Sequence, residues 1–190
     1  MSKAIKNTAV IIFVIALSVS LGYAYDRIST WFEKRAHPLG YSEIVEKYSK
    51  EYNVPKEMVY GVIKAESSFR SDAVSVAGAV GLMQITEATF DWISAKLGEK
   101  VSKGLLYDPD TNIRYGTYYL NYLYNEFGSW DIALAAYNAG PGRVKNNWLG
   151  NPEYIKDNEI VYIPIEETRT YIQRVNKNKE TYKRLYFGIQ

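Results

Sequence analysis

The sequence predicts a mainly α-helical protein, one helical domain of about 150 residues preceded by an N-terminal hydrophobic helix, and three observations carry that prediction. The 190 residues exceed one common domain of about 150 residues by only a short extra segment. The stretch 8–24 is almost uninterruptedly apolar. Beyond it, apolar residues recur every three and four positions, the period of a helix with one buried face. With 47% apolar and 23% charged residues, the chain is neither a disordered tail nor a polytopic membrane protein.

Residues 1–24 read as a signal peptide or membrane anchor. Lys3 and Lys6 precede the run Ala9-Val10-Ile11-Ile12-Phe13-Val14-Ile15-Ala16-Leu17, and a basic start before an apolar core marks an export signal. Gly22-Tyr23-Ala24 offers small residues where a signal peptidase cuts, whereas about 17 apolar residues approach the ~20 that span a bilayer. Both outcomes stay open: a chain secreted after cleavage, or an anchor with two lysines on the cytoplasmic side and the remainder outside. Either places the body in the cell envelope, outside the cytoplasm. Residues 25–40 read as a connector that ends in His37-Pro38-Leu39-Gly40.

Residues 41–190 form the helical domain. Ile44, Val45, Tyr48 and Tyr52 share one helix face, and Met58, Val59, Val62 and Ile63 share the next, with Pro55 suited to its first turn. Residues 67–80 are rich in Ser, Ala and Gly and read as a loop. Helical patterns resume with Phe90, Ile93 and Leu97 before Gly98, then with Ile113, Gly116, Leu120, Leu123 and Phe127 before Gly128. A short helix of small residues over 131–138 stops at Gly140-Pro141-Gly142, residues 154–165 are irregular or slightly strand-like, and a last helix from about Glu166 carries Tyr171, Ile172, Val175 and Tyr182. Asp108-Pro109-Asp110-Thr111-Asn112 lacks the Gly and distal Glu of a calcium loop, so its expected role is to N-cap the helix containing Ile113 through Asp108 or Asp110. No metal site is legible and no cofactor is expected.

Composition narrows the chemistry further. Cysteine is absent and histidine occurs once, at His37. That excludes a thiolate nucleophile, a Cys-ligated zinc and an HExxH site, and leaves any Ser-His-Asp triad dependent on a residue in the connector. Proton transfer in such a chain falls to carboxylates. The net charge of +2 comes from Lys3 and Lys6, because the chain beyond residue 24 carries 21 basic and 21 acidic residues. A neutral body argues against nucleic acid as a partner, since phosphate binding needs a basic surface. The 28 aromatic residues, 18 of them Tyr, suit both a sugar cleft and ordinary core packing.

Glu66 stands out among the carboxylates. It lies three residues after Ile63 and four after Val62, on the apolar side of its helix at the last turn before the loop. Desolvation there favours the protonated form, which is what a general acid must keep near neutral pH. The alternative is a Glu that reaches solvent at the helix end.

Four motifs surround it in order: Ala65-Glu66-Ser67-Ser68-Phe69, Ser75-Val76-Ala77-Gly78-Ala79-Val80-Gly81-Leu82-Met83-Gln84, Ala135-Ala136-Tyr137-Asn138-Ala139-Gly140, and Glu167-Thr168-Arg169-Thr170-Tyr171-Ile172. Over about residues 41 to 185 this series resembles the catalytic domain of the soluble lytic transglycosylases, bacterial enzymes that cleave peptidoglycan glycan strands on a lysozyme-like fold. The resemblance implies a single lysozyme-like helical domain, with Glu66 as catalytic acid and later base. It further implies Ser75 positioning the reacting sugar, Met83 and Gln84 lining the glycan cleft, Tyr137 facing the site and Glu167 as a cleft carboxylate. Met83 and Tyr137 also fit ordinary core, and Arg169 is expected to hold a neighbouring carboxylate or carbonyl.

The implied reaction uses one carboxylate where ordinary glycosidases use two. Glu66 protonates the oxygen between N-acetylmuramic acid and N-acetylglucosamine, then accepts the proton of the muramoyl 6-hydroxyl as it attacks the anomeric carbon, leaving a 1,6-anhydro end. One rival is a hydrolytic muramidase of goose-type lysozyme character, with Asp72 as the second carboxylate. Another is a catalytically silent glycan-binding scaffold. The expected partners are glycan strands, the membrane through the N-terminal segment, and an envelope protein complex beside which a small domain without wall-binding repeats would cut.

Overall fold

A computed structural model describes residues 3–188 in two compact units that divide between Pro38 and Leu39. The first unit is one helix, α1 (Lys3–Ala36). Residues 25–36, read from sequence as connector, are helical because that stretch contains neither Gly nor Pro. The helix ends where Pro38 follows His37, since a residue before proline is pushed out of the α region. Side chains from Val10 to Leu21 lie exposed along it.

The second unit is built from α2 (Ser42–Glu51), α3 (Lys56–Glu66), α4 (Glu87–Leu97), α5 (Pro109–Phe127), α6 (Trp130–Ala139), the single turn α7 (Pro141–Arg143) and α8 (Glu166–Tyr182). Caps set the ends. Thr86 accepts from the Thr89 amide at the start of α4, and Asp108 accepts from the Thr111 amide at 2.9 Å with Pro109 in the first turn of α5. Pro55 precedes α3 in an extended conformation instead of opening its first turn. After Gly140 the chain turns and helical backbone resumes at Pro141, running into a π-helical turn (Val144–Trp148) that buries Val144 and Trp148. The slightly strand-like segment is a small hairpin, β1 (Ile155–Lys156) against β2 (Glu159–Ile160), with Asp157 and Asn158 both left-handed in its two-residue turn.

The central helix is α3, whose residues 58–63 are all buried. Gly61 lets α8 approach closely: a Cβ there would sit 3.0 Å from the Val175 carbonyl oxygen and 3.2 Å from the Lys179 nitrogen. α6 lies along α8 as well, tied by Asn176 to Asp131 and by Thr168 to Asn138, each at 2.7 Å. Fully buried Ala133, Ala135 and Ala136 keep α6 thin enough for that approach. Six tyrosines of this unit, Tyr48, Tyr60, Tyr115, Tyr119, Tyr171 and Tyr182, are buried, so a good share of the tyrosine excess is core.

Candidate active site

Glu66 is the last residue of α3, as its spacing predicts. Gly61 faces Val175 and Lys179 while Glu66 meets Tyr171 and Glu167, so α3 and α8 run antiparallel and the C-terminal end of α3 meets the N-terminal half of α8. Desolvation by burial is the largest influence on the Glu66 carboxyl and pushes its pKa up to about 7. The Tyr171 hydroxyl and the positive charge of Arg174 favour the ionised form, and the negative charge of Glu167 opposes it. Tyr171 is itself buried. Its hydroxyl lies beside the carboxyl but makes no well-formed hydrogen bond.

The loop that leaves Glu66 is held by its own backbone and by one buried amide. Ser67 Oγ donates to the Leu82 carbonyl at 2.8 Å, joining the end of α3 to the far side of the loop. Val80 and Ile85 exchange both backbone bonds at 3.0 Å. Asn112, 1% exposed on α5, accepts from the Met83 amide at 2.8 Å and donates to the Val80 and Leu106 carbonyls at 2.9 and 2.8 Å. Both donors and the carbonyl of this side chain are therefore used, which is what a buried amide requires. Gly81 has φ 81, and a Cβ there would overlap the Asn112 amide and the Leu106 carbonyl. Conformation and space both demand glycine at that position.

The six sequence-predicted residues fall into three groups. Glu66, Tyr137 and Glu167 come together: the Glu66 and Glu167 charges interact, and the Glu66 charge acts on the Tyr137 phenol. Tyr137 donates to the Met83 carbonyl at 2.8 Å, and burial raises its pKa well above the usual tyrosine value. Ser75 and Gln84 sit on the loop. Ser75 Oγ accepts from the Ala79 amide at 3.0 Å. Gln84 takes a left-handed backbone and spends its side-chain nitrogen on the Ala73 and Gly81 carbonyls, at 3.1 and 2.9 Å. That leaves Oε1 as the polar atom it can offer a ligand. Met83 corrects the expectation that its side chain lines the cleft: it is fully buried and fills the space left by Gly116, where a Cβ would overlap the thioether. Its part in the site is the carbonyl that holds Tyr137. Arg169 donates to the Ile163 carbonyl, the structural role its motif position suggested.

Sequence reasoning missed Tyr171, Arg174 and Asn112. The first two follow Glu167 by four and seven residues, so helical spacing from the expected cleft carboxylate is the signal that could have found them. Asn112 carried no local signal, because its partners lie 6, 29 and 32 residues away. Behind Tyr137 the ring of Tyr119, 5.4 Å away, opens onto a cavity of about 230 Å³ lined by Thr89, Trp92, Tyr119, Tyr122, Pro141 and Gly142 among others.

Comparison with known proteins meets this geometry. Residues 43–161 match the Transglycosylase SLT domain family, which covers the Glu66 loop and α6 but stops short of α8. The soluble lytic murein transglycosylase of Escherichia coli K12 is 38% identical over 156 residues, 80% of this chain and 24% of that protein. The membrane-bound lytic murein transglycosylase C of Sodalis glossinidius is 30% identical over 175 residues, 80% of this chain and 48% of the relative. The 70-kDa soluble lytic transglycosylase, solved as a complex with bulgecin A, superposes with a TM-score of 0.75 at 35% identity over 83% of this chain and 26% of that one. The chain thus spans about a quarter of the length of the soluble relatives and about half that of the membrane-bound one. A helical domain centred on a half-buried glutamate at the end of α3, matched over most of its length, belongs to the Transglycosylase SLT domain family.

Proposed function

We propose that this chain is a peptidoglycan lytic transglycosylase of the cell envelope that cleaves the β-1,4 bond between N-acetylmuramic acid and N-acetylglucosamine without water. The observation that carries the reading is the Glu66 carboxyl, raised to about 7 by burial. At neutral pH such a group exists in both forms, so one residue can give a proton and take one back. In the first half of the reaction Glu66 protonates the glycosidic oxygen and the C1–O4 bond breaks. In the second, ionised Glu66 accepts the proton of the muramoyl 6-hydroxyl as O6 bonds to C1, closing the 1,6-anhydro ring. A nucleophile already tethered to the reacting sugar has a high effective concentration, which removes the need for a second carboxylate to activate water. The charges acting on Glu66 come from Arg174 and Glu167, and Asp72 is not among them.

Ser75, Gln84 Oε1 and Tyr137 supply the polar groups that orient sugar on the loop side, Glu167 supplies the carboxylate on the α8 side, and the aromatic cavity behind Tyr119 extends the cleft along the strand. We assign residues 1–24 to a retained anchor that continues into the helical segment 25–36, a reading supported by the exposed apolar surface of α1 and its length. Digestion of purified peptidoglycan in H₂¹⁸O tests the reaction. Products of wild type carry 1,6-anhydro ends and no heavy oxygen, and Glu66→Gln releases almost none. Reducing ends labelled with heavy oxygen would establish the hydrolytic muramidase instead, and equal release by the variant would make the domain a scaffold.

A further inference from the structure

The helix α1 does not stop where its apolar core stops. The apolar run 8–24 is about 25 Å long at 1.5 Å per residue, a few ångströms short of a hydrocarbon layer of about 30 Å. The apolar helix Val10–Ala36, 27 residues, is about 40 Å long, close to the thickness of a bilayer with its headgroups. Past Ala24 the character changes. Tyr25, Ile28, Trp31 and Phe32 recur at three- and four-residue spacing, each more than half exposed, while Asp26 and Glu33, seven residues apart, share another face. Trp31 and Phe32 pack edge to face at 4.8 Å, the Arg27 guanidinium lies 5.9 Å from the Tyr23 ring, and that of Arg35 lies 5.8 Å from the Trp31 ring. Aromatic rings with a wet edge, backed by arginines, are the chemistry of the lipid headgroup layer. The mismatch in length draws this segment into that layer. Only residues 37–41 separate Ala36 from α2, and even fully extended they reach about 20 Å.

Resting on the anchor reading, we propose that residues 23–36 form an aromatic and arginine collar embedded in the phospholipid headgroups on the outer face of the cytoplasmic membrane. The collar seats the catalytic unit at the lipid surface and confines cutting to glycan near that surface. Because the chain contains no cysteine, a single introduced thiol can carry an environment-sensitive fluorophore. Full-length Leu17→Cys, Ile28→Cys and Lys100→Cys proteins are labelled and reconstituted into vesicles of phosphatidylglycerol and phosphatidylethanolamine. The chain floats with the vesicles, the label at 28 is several-fold less accessible to iodide than that at 100, and shallow brominated lipids quench it more than deep ones, which quench the label at 17. A floating chain whose label at 28 is as accessible as that at 100 overturns the collar and leaves the anchor standing, whereas a chain that does not float removes both.

Reach is tested by inserting a flexible Gly-Ser spacer of about 20 residues between Pro38 and Leu39. On vesicles, the spaced protein releases soluble fragments from insoluble cell-wall sacculi several-fold faster than the unspaced one, and in detergent the two are equal. Equal rates on vesicles overturn the confinement. Loss of activity by both in detergent marks failure of the enzymatic reading, while the label depths still decide the collar.

Discussion

Two carboxylates in the same domain meet opposite fates. Glu66, at the seam of α3 and α8, and Glu99, just beyond α4, are both partly withdrawn from water, and in both desolvation is the largest influence and pushes the pKa upward. At Glu99 the Arg114 guanidinium donates to both oxygens and the Tyr115 hydroxyl adds a bond of 2.8 Å, so the carboxyl ends below its usual value. At Glu66 the nearby cation is the exposed Arg174, which exerts only a through-space pull, and the Tyr171 phenol is poorly aligned, so burial wins and the value rises to about 7. Burial alone therefore does not make a general acid. The direction is decided by whether hydrogen-bonding cations accompany the carboxyl into the interior.

The sharpest way to break this contrast is Glu66→Gln, expected to lower product release by about 1,000-fold or more in a peptidoglycan digestion assay. The same variant reports the cost of burying that carboxylate. With a folded value of about 7 against 4.5 unfolded, the contribution of Glu66 to stability is intact below pH 4.5 and is lost as pH rises through 7. Glutamine mimics the protonated form, so the variant gains on the order of 3 kcal/mol above pH 7 and nothing at pH 4. Thermal melts at the two pH values measure the difference, and an equal gain at both would show that charge is not its source.

Asn112→Ala leaves the Met83 amide and the Leu106 carbonyl without partners, removes one of two bonds to the Val80 carbonyl, and is expected to cost about 3 kcal/mol in urea unfolding, with reduced activity in the molecules that remain folded. Arg114→Gln strips Glu99 of its cation. Since this pair is partly exposed, a loss of about 1 to 2 kcal/mol at pH 7 is expected, with activity per folded molecule retained. Because the pair holds Glu99 below its usual value, its stabilisation is present above pH 4.5 and fades as pH falls. The wild type and variant stabilities therefore converge in acid.

The smallest effects are shifts in the titration of Glu66 caused by its neighbours. Wild-type kcat/KM declines as pH rises through about 7, as the acid form is lost. Tyr171→Phe removes a group that favours ionisation, so this decline moves to higher pH by a fraction of a unit, and stability stays level at pH 4, where Glu66 is protonated in both proteins. Arg174→Gln moves it the same way by less, and 0.5 M salt, at a screening length of about 4 Å, erases the difference. A decline unmoved in both variants would mean that another group controls the pH dependence.

Much of this arrangement was legible in local pattern. Apolar spacing located α2 through α6 and α8, Gly98 and Gly128 marked the helix ends they terminate in left-handed turns, and Glu66 was visible because a carboxylate on an apolar helix face is conspicuous. The loop motif was legible as a motif, but its workings were not. Met83 and Gln84 looked like cleft residues, yet the thioether is core and the amide nitrogen ties down the loop. Tyr171 belongs to the apolar spacing of the last helix and is core. Its place beside Glu66 depends on α8 running antiparallel to α3, more than 100 residues away in sequence.

The sequence by itself determined most of the helices, the exclusion of thiol and Cys-ligated metal chemistry, and Glu66 as the candidate acid. Periodicity, caps and residue inventory are local or compositional properties that a chain displays whether folded or not. Only the tertiary structure decided that Glu66 is desolvated without a hydrogen-bonded cation and that Tyr171 and Glu167 flank it. It also decided that Asn112 holds the loop from below. Each of these depends on which surfaces meet when α3, α5, α6 and α8 pack, and contacts between distant segments leave no periodic trace in the chain.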